Sequence, residues 1–554
     1  MNKPIIYQML PRLWGSDKVR PKKNGGLEDN GTGKFSDIDK NTLDYLKWLG
    51  CSHVWYTGII RHSTQESTQG CTASHPQFVK GKAGSPYAIC DYYDVNAYLA
   101  DNPNDRMGEF EQLIKRSHEA GLKVIIDFVP NHVSRDYGKV GFSSDHPCLG
   151  AEDDKSVHWS ADNDFFYYPG QALTLPSECP KGMKPYEEFP AMATGNNCYS
   201  PNPGVNDWYE TIKINYCDFH TKTWDKMLDI VLFWASKGVD GFRCDMVELV
   251  PPQFFQWLIS KVKETYPEVI FVAEVYKKDL YNQYIREVGF DYLYDKSGLY
   301  DSLRAVVEKA VNDNGMPVEL WQSTTGITRS WQFLGDLQPY MLNFLENHDE
   351  QRFGSDFFGK DAKNTFAPLY VSLFLNTAPF MIYFGEETGE KGMDEEGFSG
   401  RDGRTTIFDW WSVGSVRRLR KVIESGEYKS LDVKALIKAG MKREEAEVFV
   451  RFAEATRLAS TDLAVTKGTT YDLCYCNLSS DGFDKNRHFA FLRDYEDHTI
   501  LFACNFSNRE AHISLTLPEH AFEWMEIPVT EELYPGKVIE VDIAPYDAVK
   551  IILV

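Results

Sequence analysis

The sequence has no basic excess, no long hydrophobic run, no metal-ligand cysteine spacing, and no internal repeat or low-complexity tract. Each absence removes a class of function. Lys and Arg number 59 against 81 Asp and Glu, a net charge of −22, so no cationic surplus is available for phosphates and nucleic acid is excluded as a partner. No window is apolar over the roughly 20 residues that a transmembrane helix needs, so no membrane span is expected. The opening MNKPIIYQMLPRLWG enters a strand-like run too early for a signal peptide. A cytoplasmic protein is expected, with a periplasmic or secreted one whose signal has been removed as the alternative. The eleven cysteines run from Cys51 to Cys504, and the isolated Cys474-x-Cys476 pair does not make a zinc site. Most are expected to be buried thiols; Cys179 and Cys198, in a loop-rich stretch, are the pair that could bridge.

What is present supports a large core, since 43% of the 554 residues are hydrophobic and 14% aromatic. That length suits a barrel of about 250 residues or more with appended parts. Strand-like runs occur at 4–10, 53–60, 123–130, 241–246, 269–276, 290–295, 341–349 and 379–387, with helix-like stretches between them. Continuous apolar strands alternating with helices indicate a parallel sheet covered on both faces. Eight of them predict an α/β fold, a (β/α)₈ TIM barrel whose active site lies at the carboxyl ends of the strands. Residues 133–205 break the rhythm with Gly, Pro, Asn, Asp and Ser, as an inserted subdomain after strand three would. Beyond residue 462 short alternating runs predict an antiparallel β-sandwich. The expected division is therefore 1–132 first part of the barrel, 133–205 inserted subdomain, 206–462 second part of the barrel, and 463–554 C-terminal sandwich.

Four runs end in acids: Asp127, Asp245, Glu274 and Asp349. Burying a carboxylate is costly unless it is paired or used. Any one of them could cap a helix or meet an arginine. Together, with His132, Arg243 and His348 beside them, they point to one cleft. Two carboxylates flanking a bond suit glycoside cleavage, one protonating the leaving oxygen while the other attacks or activates water.

The motifs DFVPNH (127–132), GFRCDMVE (241–248), VAEV (272–275) and ENHD (346–349) resemble those of the α-amylase family of retaining glycoside hydrolases, family 13. The resemblance covers nearly the whole chain. It implies Asp245 as nucleophile, Glu274 as general acid and then base, and Asp349 as a third carboxylate that holds sugar hydroxyls. Asp127 becomes a structural neighbour. Arg243 would keep the nucleophile ionised, and His132 and His348 would hydrogen-bond the sugar that is cleaved. Tyr87 matches the aromatic on which that sugar stacks. Arg352 completes an NHD-x-x-R pattern of members acting on short oligosaccharides, with an exposed Arg at a helix start as the plain alternative.

Departures from the family pattern bear on metals and on the acceptor side. Starch-acting members often carry Lys-His where this chain has Glu248 and Leu249, which puts the acceptor subsite in doubt. The His gives a calcium ion only its main-chain oxygen, so Leu249 does not remove that ligand. Asn131 matches another calcium ligand, and Asp162 and Asp164 in the insertion add carboxylates. A structural calcium there and an empty site are both compatible with these residues. A second metal loop after strand one is not expected, because Lys34 supplies a cation where the metal would sit. No organic cofactor is implied.

The resulting expectation is a retaining α-glucan hydrolase cleaving α-1,4 bonds of starch-derived polymers or maltooligosaccharides. The alternative is a transglycosidase or isomerase of the same family, such as a trehalose synthase. A non-catalytic carbohydrate-binding relative is disfavoured because all three acids are retained, and a barrel of unrelated chemistry is the fold-only fallback.

Overall fold

Eight apolar runs close into one parallel barrel in the computed structural model, which describes residues 3–139, 146–313, 315–392, 398 and 400–553. The strands are β1 (Ile5–Met9), β2 (His53–Tyr56), β3 (Lys123–Phe128), β4 (Gly241–Cys244), β5 (Ile270–Ala273), β6 (Tyr292–Tyr294), β7 (Met341–Phe344) and β8 (Phe380–Tyr383). Each pairs in parallel with the next, and β8 returns to β1. Nearly every strand residue is buried, which is why the runs lack polar alternation. Register places Arg243 opposite Asp127 on one side and Val272 on the other.

Helices cover the outside. The helix Arg106–Glu119 buries Phe110, Leu113, Ile114 and Ser117, the i, i+3, i+4, i+7 stripe of an amphipathic helix. The helix Lys40–Trp48 begins where Asp39 accepts the Thr42 N–H. Among the described residues no helix is long and apolar enough to cross a membrane.

The insertion after β3 opens and closes through one antiparallel pair, His132–Ser134 against Thr211–Lys213. The closing strand of that pair ends at Lys213. Inside it, Tyr167–Tyr168 pairs with Ala191–Met192. Cys179 and Cys198 do not bridge; all eleven cysteines are free thiols.

The C-terminal part has a four-stranded antiparallel sheet of β9 (Thr469–Asp472), β10 (His488–Tyr495), β11 (His498–Asn505) and β14 (Ala548–Ile552). A two-stranded sheet of β12 (Ala511–Thr516) and β13 (Val538–Ile543) accompanies it. Phe502 of β11 stacks on Phe374 of the helix Phe366–Phe374, ring centres 4.6 Å apart. Barrel and C-terminal sheets thus share one hydrophobic core.

Candidate active site

The site is built around Arg243, near the carboxyl end of β4. Asp245 lies just past that strand and still follows the sheet, its N–H donating to Phe128 O at 2.9 Å. Residues two apart on a strand share a face, so Arg243 and Asp245 point the same way. Arg243 Nη1 meets Asp245 Oδ1 at 2.6 Å. Its Nη2 lies 3.0 Å from Glu274 Oε2 without hydrogen-bond alignment, so this second contact is electrostatic. Its Nε donates to the Tyr294 hydroxyl at 3.2 Å. Trp55, Tyr87 and Tyr294 place their rings 5.4–5.6 Å from the guanidinium and wall it from water.

A strained residue finishes the arrangement. Met246 has φ 46° and ψ 44°, a left-handed conformation unusual for a side chain other than Gly, Asn or Asp. The turn aims its N–H at Glu274 Oε2, 2.8 Å away. The Tyr276 hydroxyl lies 2.5 Å from Glu274 Oε1. Both oxygens of that carboxyl are therefore held.

His348, past β7, is fixed from two sides. The Gln8 amide donates to Nδ1 at 2.8 Å and is itself anchored on Thr57. Burial and the Arg243 charge push the ring well below its ordinary pKa, so it is neutral and its proton is assigned to Nε2. That nitrogen lies 2.5 Å from the Tyr87 hydroxyl and 3.1 Å from Asp349 Oδ2. His132 is likewise neutral, lowered to about 3 by burial and then by Lys213 and Lys80. Its ring faces Trp208 at 5.4 Å. The main chain at Gly195 presses on it so closely that a Cβ there would lie 2.8 Å from His132 Cβ.

Arg243 touches two acids, Asp245 and Glu274, and its charge also reaches Asp349 and Asp127. Burial pushes Asp245 well above the usual carboxylate range; Arg243 pulls it back, and Glu274 and Asp349 push it up again. Asp349 is raised to about 7, by burial first and then by Glu274. Its side chain is nonetheless 44% exposed, so cleft water offsets part of that rise. Asp127 is raised to about 6 by burial, against Arg243. Asp349 raises Asp245 and, the repulsion being mutual, loss of a proton from one makes loss from its neighbour harder.

Asp245, Glu274, Asp349, Arg243, His348 and Tyr87 thus meet in one cluster, with His132 at its edge. Arg352 does not join them. It is fully buried, donating to Glu346 Oε2 at 2.8 Å, Thr405 Oγ1 at 2.8 Å and Phe384 O at 2.9 Å. The sequence pattern offered it as a sugar ligand; the structure gives it an internal carboxylate instead.

Asn131 and Leu249 do not fit a calcium ion. Lys213 Nζ donates to both Asn131 Oδ1 and Leu249 O, the latter at 2.9 Å. Burial lowers the Lys213 pKa to about 7, and the nitrogen is a donor in either charge state. Asp164 pairs with Lys226 at 2.6 Å and accepts from Thr223, while Asp162 is exposed. Among the described residues no three acids, His or Cys gather as a metal site. Lys34 Nζ donates to Tyr98 O at 2.8 Å and Ala100 O at 2.9 Å. Glu248 accepts the main-chain N–H groups of Tyr276 and Lys277 and so shapes the loop after the acid.

Gln8, Trp55, Met246 and Tyr276 were not singled out by the sequence patterns. Gln8 interrupts an apolar strand, and Tyr276 stands two residues after Glu274, so both carried a signal. The Met246 conformation had none.

A family model described as the alpha-amylase catalytic domain matches residues 23–425. "Alpha-amylase 3" of Dictyoglomus thermophilum is 26% identical over 415 residues, 70% of this chain and 64% of that one. "Neopullulanase 2" of Thermoactinomyces vulgaris is 21% identical over 552 residues, covering 96% and 74%. The chain spans between 32% and 74% of the length of the curated relatives it matches. A solved debranching enzyme from Nostoc punctiforme has the same fold, with TM-score 0.63 at 17% identity and coverage of 99% and 97%.

Proposed function

Since the chain belongs to the α-amylase family, we propose that it is a retaining glycoside hydrolase that cleaves α-1,4-glucosidic bonds of starch-derived polymers or maltooligosaccharides. The observation that carries this reading is Arg243 touching both Asp245 and Glu274, at 2.6 and 3.0 Å. A guanidinium spanning two carboxyls favours the short separation of a retaining pair, about 5–5.5 Å, over the roughly 6.5–9.5 Å of an inverting pair.

Asp245 Oδ1 is held by Arg243, so Oδ2 is the oxygen that attacks the anomeric carbon. Glu274 gives its proton to the glycosidic oxygen as that bond breaks, and the shortened glucan leaves as an alcohol. A glycosyl ester on Asp245 remains. Water then enters, Glu274 takes one of its protons, and the ester is cleaved with the anomeric configuration retained. Tyr276 suits both halves, because a hydroxyl accepts from a protonated Glu274 and donates to an ionised one. Asp349 and His348 would grip sugar hydroxyls, Tyr87 would carry the sugar face, and His132 would close the edge. Nucleophile and acid are both side chains, so no cofactor is needed.

Transfer to a sugar in place of water is the second reading. Tyr276, 36% exposed beside the acid, offers an acceptor sugar a stacking face. Asp245→Asn and Glu274→Gln should each lower maltoheptaose hydrolysis by about 10⁴-fold or more. Unchanged turnover in both would refute the assignment. Product profiles on maltoheptaose, pullulan and trehalose fix the linkage, and longer products from maltose alone would favour transfer.

A further inference from the structure

We propose that Lys213 takes the place of a calcium ion where the inserted subdomain joins the barrel, so that a side chain of the protein itself fastens the loop carrying His132 and no metal is required. The two oxygens on which the family resemblance would seat calcium both accept from its Nζ. Calcium needs six to eight oxygens at about 2.3–2.6 Å, usually several of them carboxylates. Here both acceptors are uncharged, a side-chain amide and a main-chain carbonyl. Two neutral acceptors match one amino group and leave a divalent ion under-coordinated.

The position of Lys213 makes it a clamp on three segments. Its backbone pairs directly opposite His132. Its N–H donates to Ala193 O at 2.9 Å, within the insertion. Its side chain reaches Leu249, in the turn after β4 that also holds Asp245. Asn131, the other acceptor, turns its Nδ2 to Gly195 O at 2.8 Å. One lysine therefore ties the loop after β3, the insertion and the loop after β4 around the sugar-facing histidine. Lys34 repeats the device at the loop after β1, where a second metal would sit, bridging two main-chain carbonyls.

The decisive measurement is thermal unfolding of the full-length wild-type protein in EDTA and in millimolar calcium, with equilibrium dialysis against labelled calcium. The expected result is one Tm in both buffers and no stoichiometric binding. A Tm that rises with calcium, or one ion retained per chain, would overturn the proposal. Lys213→Met should lower Tm by several degrees and hasten limited proteolysis between residues 146 and 213; an unchanged Tm and cleavage pattern would also overturn it. If that variant does not fold, the wild-type calcium titration still decides. Both readouts are free of substrate, so their failure is distinguishable from failure of the hydrolase reading.

Discussion

Arg243 and Arg352 are both completely enclosed at the carboxyl end of the barrel, and both meet a carboxylate, yet they do different work. Arg352 hydrogen-bonds one acid, Glu346, and its charge also reaches the buried Glu386 and the nearby Glu390. Glu346 gives one oxygen to this arginine and the other to the Phe353 N–H at 2.6 Å, and Arg352's remaining groups go to Thr405 and Phe384. Arg243 touches two acids, and a third, Asp349, opens to the cleft beside them. The contrast shows what separates a structural ion pair from a reactive one. Acids outnumber the cation in both places, but Arg352, Glu346 and Glu386 are closed off from solvent, whereas Asp349 leaves the Arg243 cluster open to the cleft, where protons can be exchanged.

Removing each arginine should therefore break different properties. Arg243→Gln should reduce kcat about 10²–10³-fold, the scale of losing a preorganised charge contact. Its Tm should fall less than that of the Arg352 variant, because Asp349 opens this cluster to cleft water whereas Arg352 and Glu346 are fully enclosed. Arg352→Gln should instead destabilise by about 3–5 kcal/mol, the cost of an orphaned buried charge, with unchanged KM in the molecules that stay folded. A raised KM would return Arg352 to the substrate. Calorimetry and steady-state kinetics on the same two preparations test the contrast directly.

Within the Arg243 cluster, Tyr276→Phe isolates the hydroxyl on Glu274. We expect kcat to fall about tenfold, the size of a hydrogen bond to a charged group, with KM nearly constant. An equal rise in KM would make Tyr276 a sugar platform only. The smallest effect concerns pH. Asp349 is raised to about 7 in the folded chain, above the ordinary value near 4 that it takes when unfolded. Between these values the folded state holds the extra proton, so this contribution to stability is present at low pH and is lost as pH rises through about 7. Asp349→Asn removes the titration. Its Tm relative to wild type should climb by a few degrees between about pH 4 and pH 8. A pH-independent difference would mean that Asp349 has no raised pKa in the folded chain.

Much of this was legible along the chain. The barrel strands are buried on both faces, so each reads as an uninterrupted apolar run, and eight can be counted. The acids stand out because a carboxylate at the end of such a run has few innocent explanations. Arg352 misled because its spacing from His348 matched a family pattern, and spacing does not say whether Glu346 will turn inward to meet it. Lys213 stayed hidden because a lysine in TIKIN is unremarkable until Asn131 and Leu249 close around it from distant positions.

The sequence alone determined the barrel, the insertion, the sandwich and the identity of the catalytic candidates, since these follow from hydrophobic periodicity and short contiguous motifs. Tertiary structure alone decided which charges balance. Whether Arg243 also reaches Glu274, whether Thr405 and Phe384 close over Arg352 and whether Lys213 meets Asn131 and Leu249 depend on groups about 30 to 80 residues apart. Electrostatic pairing acts through distances in space, and only the closed fold sets those distances.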